Sequence, residues 1–333
     1  MSKDNTIQLY DEEVYESVCD VNKDILEEYI LDMKSRRLKE GSIYQYTKDI
    51  KLFYCYVCTE LKNKPIPTLK KKQFKRFFID FQNTGVSNAR INRVQCSLRN
   101  LMEFVTSDDD MLDEYEQEVN YMAKIKGLQK EEVREIIFLS DNEVRLLIDE
   151  LVKDEKYQIA LLVALAYESA GRRNELYQVT KSSLLDEEDN KTNVVVGKRG
   201  KKFFLRYFSK TKEILKLYLE QRGEDDKDFL WYKKNSKGEV EEVGYSTLYG
   251  WIIESRAYLE KAVGEHKLFN PHSFRHSSLE NLVNGTHWIL PELNKECLSL
   301  EEAKLLAHHA DSSTTAGYII NRDIKEEENL FGV

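Results

Sequence analysis

His272 and Arg275 stand three residues apart in the string PHSFRH (Pro271 to His276), and Tyr318 follows His309 by nine residues in HHADSSTTAGY. Two imidazoles, a guanidinium and a phenol therefore fall in the last fifth of the chain. Imidazoles move protons, a planar guanidinium matches phosphate oxygens in pairs, and a phenol can attack phosphorus. Such a set could open a phosphodiester with a protein nucleophile, without metal or nucleotide cofactor. The phenol has an ordinary pKa of about 10, so it needs a base or a strong local field at neutral pH.

The elements that must position these groups belong to a chain of 333 residues, a length that suggests two domains. Hydrophobic residues make up 41% and charged residues 33%, enough for ordinary cores and too apolar for general disorder. No apolar run is long enough to span a bilayer, and the polar, acidic N-terminus lacks a signal-peptide core. The cytoplasm is the expected compartment.

A net charge of −9 argues against nucleic acid when averaged, but the charge is segregated. Residues 21–100 hold 17 Lys/Arg against 8 Asp/Glu, a net of +9. Residues 101–120 hold 8 acids and no base, and residues 191–210 hold 7 bases and no acid. Solvated helix faces would explain one such block; two separate basic blocks point to a polyanion.

Residues 1–22 read as an acidic lead-in. Residues 23–106 read as a basic domain of four helices, over residues 25–33, 43–61, 70–81 and 89–105, with Ser42 as an N-cap and turns at NKPIPT and NTGVSN. Residues 107–135 read as an acidic linker, and residues 136–333 as a second domain. There Ser140 and Glu143 form a capping box, residues 157–168 a buried helix, and residues 193–196 and 202–208 a β-hairpin around GKRG. Helices are expected again over 211–221, 245–262, 276–283, 300–308 and 323–330. Cys55 and Cys58 fit one helix face better than a zinc site, which needs a second pair of ligands. The triplet Asp108 to Asp110 and the four histidines His272, His276, His308 and His309 lack a recognisable metal-ligand spacing, so no metal is expected.

Four segments of the second domain resemble, in order, the motifs of the tyrosine recombinases, the phage-integrase family. SAGRRNEL (Ser169 to Leu176) resembles the first arginine box and places its arginine at Arg172, with Arg173 the alternative. VGKRGKK (Val196 to Lys202) resembles the hairpin of the catalytic lysine, which falls at Lys198, with Lys201 the alternative. HSFRH supplies His272 and Arg275; LAHHADSSTTAGY supplies His309 and Tyr318 without a gap. GVSNARINRVQCSLRNLMEF resembles the last helix of the family's core-binding domain, so the similarity spans residues 23–322.

The resemblance implies a mainly α, two-domain clamp: a helical, SAM-like core-binding domain and a mixed α/β catalytic domain with a small antiparallel sheet. It implies a site-specific recombinase or integrase of a phage or mobile element, working through a 3′-phosphotyrosine and needing no cofactor. Its catalytic residues would be Arg172, Lys198, His272, Arg275, His309 and Tyr318. Its partner would be double-stranded DNA, with self-association on that DNA. The contacts would come from Lys70, Lys71, Lys72, Lys75 and Arg76, from Arg90, Arg93 and Arg99, and from Lys201 and Lys202. Some positions depart from the pattern: His308 replaces a glycine, Arg199 a hairpin glycine and Glu280 a small polar residue, Arg173 stands where an apolar residue is usual, and the stretch from Arg275 to His309 is long. These departures motivate a second reading, a DNA-binding regulator that keeps the fold without the chemistry.

Overall fold

The computed structural model describes residues 10–115, 117–129, 137–185 and 190–308. The chain forms two units, residues 1–135 and 136–333.

The first unit is helical: α1 (Glu12–Glu16), α2 (Asp20–Ser35), α3 (Glu40–Glu60), α4 (Lys71–Asn83), α5 (Asn88–Ser107) and α6 (Asp109–Tyr115). In α4, phenylalanines at 74, 77, 78 and 81 recur at helical spacing and are all buried. Phe77 meets Phe53 of α3 edge-on, with ring centroids 4.8 Å apart. The opposite face of α4 carries the exposed Lys72, Lys75 and Arg76. A buried carboxylate joins α3 to α5: Asp49 accepts from Arg93 Nε (3.2 Å) and Nη2 (3.0 Å), Ser97 Oγ (2.9 Å) and Gln45 Nε2 (3.1 Å).

Three expectations change here. Part of the lead-in is helical, because Asp11 Oδ1 caps α1 by accepting from the Glu13 and Val14 amides. The helix expected after Ser42 starts earlier, with Lys39 as N-cap, so Gly41 and Ser42 lie in its first turn. The expected linker contributes to the first core instead: α6 forms, and Met111, Met122 and Ile125 are buried in it. Acids at a helix N-terminus complement its dipole, so the charge run that suggested a linker helps α6 to start. Cys55 and Cys58 share one face of α3, where their Sγ atoms approach the carbonyls of Asp11 (3.4 Å) and Ser17 (3.7 Å).

The second unit contains α7 (Asp141–Lys153), α8 (Tyr157–Ser169), α9 (Arg173–Tyr177), β1 (Lys191–Val196), β2 (Lys202–Arg206), α10 (Ser209–Arg222), β3 (Tyr232–Lys234), β4 (Val240–Glu242), α11 (Tyr245–Glu254), α12 (Arg256–Val263), α13 (Pro271–Val283) and α14 (Leu300–Leu306). Among the described residues it has two separate antiparallel hairpins, β1–β2 and β3–β4. The second was not expected, because YKKNSKGEVEE carries little hydrophobic alternation. The helix expected over 245–262 is two helices, broken at Ser255.

The middle of this unit is α8, buried on all sides from Ile159 to Ser169. Its Glu168 is completely buried and caps α10 from a distance, accepting from the amides of Phe208 (2.7 Å), Lys210 (3.1 Å) and Thr211 (3.3 Å) and from Trp288 Nε1 (2.9 Å). The helix α13 begins at Pro271, not near His276, with Asn270 Oδ1 accepting from His272 N (2.8 Å). Proline suits the first helical position, where its missing N–H costs nothing. His272 and Arg275 therefore lie in the opening turns of this helix. The helix expected over 323–330 lies outside the described residues.

Candidate active site

Arg275 organises the site. It is 1% exposed, and Nη1 donates to the Ala170 carbonyl while Nη2 donates to the Ala307 carbonyl at 2.5 Å. Ala170 precedes Arg172 by two residues, and Ala307 precedes His309 by two. One guanidinium on α13 thus ties the first arginine motif to Ala307, just past the C-terminus of α14. Ala170 ends α8 in the left-handed region (φ 48°), which turns its carbonyl out of the helix. Gly171 follows in a tight slot, where a Cβ would lie 2.9 Å from Ser169 Oγ and 3.0 Å from Leu176 Cδ2.

Arg172 is the N-cap of α9 and about a third exposed; its Nη1 pairs with Glu175 Oε1 at 3.0 Å, and its amide donates to Glu175 Oε2 at 2.8 Å. Arg173 leaves in another direction, with its guanidinium 4.1 Å from the ring centroid of Tyr245 and 5.3 Å from that of Tyr249. His272 feels burial first and then the charges of Arg275 and Arg172, all of which hold its imidazole below the usual range. It is therefore neutral at neutral pH and able to accept a proton. Its ring lies 4.5 Å from that of His276, edge-on.

The hairpin β1–β2 reaches the same place. Gln178 of the α9 C-terminus grips both main-chain groups of Val196, accepting from its N–H (2.9 Å) and donating to its C=O (3.1 Å). Gly197 N donates to Lys201 O at 2.8 Å and closes the turn. A Cβ on Gly197 would sit 2.6 Å from the Phe203 ring and 3.2 Å from Glu175 Oε1, so only glycine fits between them. Lys198 stands exposed on this turn. Lys201 Nζ donates to the His308 carbonyl at 3.4 Å, and Lys202 is exposed. The Phe203 ring stacks on His308, with centroids 4.0 Å apart and planes 23° apart.

The structure thus brings together Arg172, His272, Arg275 and the hairpin of Lys198 and Lys201. His309 and Tyr318 lie outside the described residues. Sequence reasoning used Glu175 only to align its motif and missed Gln178, Gly197 and Phe203. The three-residue spacing of Arg172 and Glu175, a capping-box spacing, was the available signal.

Several basic residues of the first unit also meet other protein groups. Lys72 and Lys75 are exposed, Lys71 is half-buried, and the ammonium of the exposed Lys70 lies 5.5 Å from the Tyr121 ring centroid. Arg76 lies 3.7 Å from Glu60 and 3.8 Å from Asp80. Arg90 rests beside the Phe81 ring at 5.7 Å, Arg93 holds Asp49, and Arg99 Nη2 donates to the Ile125 carbonyl at 3.2 Å. No helix among the described residues is long and apolar enough to cross a membrane.

The phage integrase family matches residues 137–323. The chain is 28% identical over 330 residues to the SPbeta prophage-derived recombinase-like protein YomM of Bacillus subtilis, covering 96% of this chain and 92% of that one. It is 22% identical over 292 residues to a tyrosine recombinase of Pseudothermotoga lettingae, covering 86% of this chain and 90% of the other. Among solved structures it resembles the XerH site-specific recombinase bound to a palindromic difH substrate, with TM-score 0.65, 16% identity, and 98% and 90% of the two chains covered. It also resembles a lambda integrase dimer bound to a COC′ core site, with TM-score 0.64, 16% identity, and 90% and 77% covered. These two likenesses concern the fold: mostly helical, with small antiparallel sheets.

Proposed function

Because this chain belongs to the phage integrase family, we propose that it is a site-specific DNA recombinase of a phage or other mobile element. The supporting observation is the double grip of Arg275, which draws the Arg172 motif and the His309 motif onto one buried guanidinium.

In this reading Arg172 and Arg275 hold the non-bridging oxygens of the scissile phosphate, and His309 adds a donor. Loss of one such donor costs on the order of 3–4 kcal/mol of transition-state stabilisation. The Tyr318 oxygen attacks phosphorus, and neutral His272 takes the phenolic proton. The bond from phosphorus to the 5′-oxygen breaks as Lys198 gives that oxygen a proton. The products are a 3′-phosphotyrosine and a 5′-hydroxyl, and reversal of the same steps rejoins a strand without ATP. Exchange of strands requires protomers on paired sites, and the related lambda integrase was crystallised as a dimer and as a tetramer on DNA. Double-stranded DNA and self-association upon it are therefore the proposed partnerships, and the nucleoid of a bacterial cytoplasm the proposed location.

The test is a nicked duplex built on a site that the protein selects from random-sequence DNA. A covalent protein–DNA adduct on a denaturing gel, abolished in Tyr318→Phe, is the expected result. Tight site-specific binding without any adduct would refute the recombinase and favour the regulator.

A further inference from the structure

His308 is the most conspicuous departure from the family pattern that touches the site. It stands where the resemblance has glycine, and the backbone explains why glycine is usual: φ is 52°, in the left-handed region. Histidine is among the few side chains that enter this region with some frequency. Its ring lies on Phe203 of β2, with centroids 4.0 Å apart. Its carbonyl accepts from Lys201 Nζ at 3.4 Å. Every one of these contacts goes to the hairpin that bears Lys198.

The contacts also continue inward. The Phe203 ring lies against Gly197, Gly197 against the Glu175 carboxylate, and that carboxylate pairs with Arg172. The hairpin turn is thus held at its base from two sides, by Gln178 on Val196 and by His308 on Phe203. Lys198 sits on the turn between these anchors, one residue beyond Gly197. A glycine at 308 would keep the carbonyl for Lys201 and lose the ring stack on Phe203.

We infer that His308 is a positioning residue that this chain uses to dock the lysine hairpin against the end of α14. This inference rests on the recombinase reading, since it assigns His308 to the step in which Lys198 protonates the departing 5′-oxygen. His308 itself exchanges no proton with the DNA. Its ring acts through Phe203, by holding the turn at the distance from which Lys198 can deliver its proton.

The experiment separates proton delivery from every other contribution. Adduct formation is timed on two nicked duplexes, one with the ordinary scissile phosphodiester and one with sulfur in place of its 5′-bridging oxygen. A thiol has a pKa of about 8.5, so the thiolate departs without a proton donor. His308→Gly and His308→Asn, both tolerant of the left-handed backbone, are expected to slow cleavage of the ordinary duplex by about ten- to a hundred-fold, the scale of a misplaced general acid. On the sulfur duplex they are expected to match the wild-type chain within about two-fold. Phe203→Leu is expected to show the same selectivity, and Lys198→Ala/His308→Gly to be no slower than Lys198→Ala alone. Equal slowing on both duplexes would make His308 merely structural and overturn the inference, as would unchanged rates on the ordinary duplex. Absence of an adduct with the wild-type chain on either duplex would instead defeat the recombinase reading itself.

Discussion

In the first unit the cations of α4 stand in solvent, with Lys72, Lys75 and Arg76 around a buried ridge of phenylalanines. In the second, Arg275 is 1% exposed and bonded to two main-chain carbonyls from distant parts of the chain. The first arrangement attracts a polyanion at little cost to folding, and each cation can be exchanged for another. The second makes one cation part of the fold, so that its charge and its direction are set before any ligand arrives. Binding and chemistry should therefore separate by unit when single residues are replaced.

Arg275→Ala should give the largest effect. It empties a buried site and leaves the carbonyls of Ala170 and Ala307 without this donor, at a cost of roughly 2–5 kcal/mol. The urea midpoint of the second unit should fall accordingly, and adduct formation should disappear. Arg275→Lys keeps the charge but not the fork, so it should recover part of the stability and little of the rate. Full stability in Arg275→Ala would break the comparison at its strongest point.

Protonation probes the same unit without mutation. His287 is 2% exposed, stacks on Tyr167 with centroids 4.1 Å apart, and has its pKa held down to about 3, chiefly by burial. Its Nδ1 accepts from the Ile289 amide at 3.2 Å, a bond that a proton would abolish. The folded-state pKa lies below the unfolded value of about 6.5, so this contribution to stability is complete above pH ~6.5 and is lost as pH falls towards 3. His272 is shifted in the same direction. Stability of the second unit should thus decline through this window by up to ~1.4 kcal/mol per pH unit as His287 takes up its proton. His287→Asn should lower that slope by about one proton, and an unchanged slope would show that His287 is not the group responsible. Adduct formation should be level at neutral pH and above, and fall on the acid side as His272 becomes protonated.

The contrast between units also explains what the sequence revealed. Helices with a clean apolar stripe were legible: the phenylalanines of α4 and the Ser140–Glu143 box of α7 identify their elements directly. The motif residues were legible as types and spacings, yet their partners were not. Nothing local couples Arg275 to Ala170, 105 residues away, or Phe203 to His308. Such contacts depend on packing that a one-dimensional pattern does not carry. The acidic run after α5 misled for a related reason, because charge suggested solvent while Met111, Met122 and Ile125 supplied the buried side. Arg93, expected at the DNA, also pairs through its guanidinium with Asp49, whose side chain is 4% exposed, a contact that no local pattern reveals.

That pairing allows a sharper test inside the first unit. Arg93→Ala leaves a buried carboxylate with only Ser97 and Gln45 as donors. Because Arg93 is itself nearly half exposed, solvent tempers the loss to about 1–3 kcal/mol, read as a lower urea midpoint. A DNA affinity that falls while the midpoint stays fixed would put Arg93 with the lysines of α4.

The smallest effects should come from Lys72→Ala and Lys75→Ala. Both side chains are exposed on α4, so each change should move stability by less than about 0.5 kcal/mol. Each phosphate contact that is lost should reduce the slope of log affinity against log salt by about 1, for specific and random duplexes alike. The rate of adduct formation at saturating protein should not change. This is the signature of attraction without direction, and Arg275 should show its inverse. A lysine on α4 whose loss slows cleavage at saturation would place part of the chemistry in the first unit and dissolve the division.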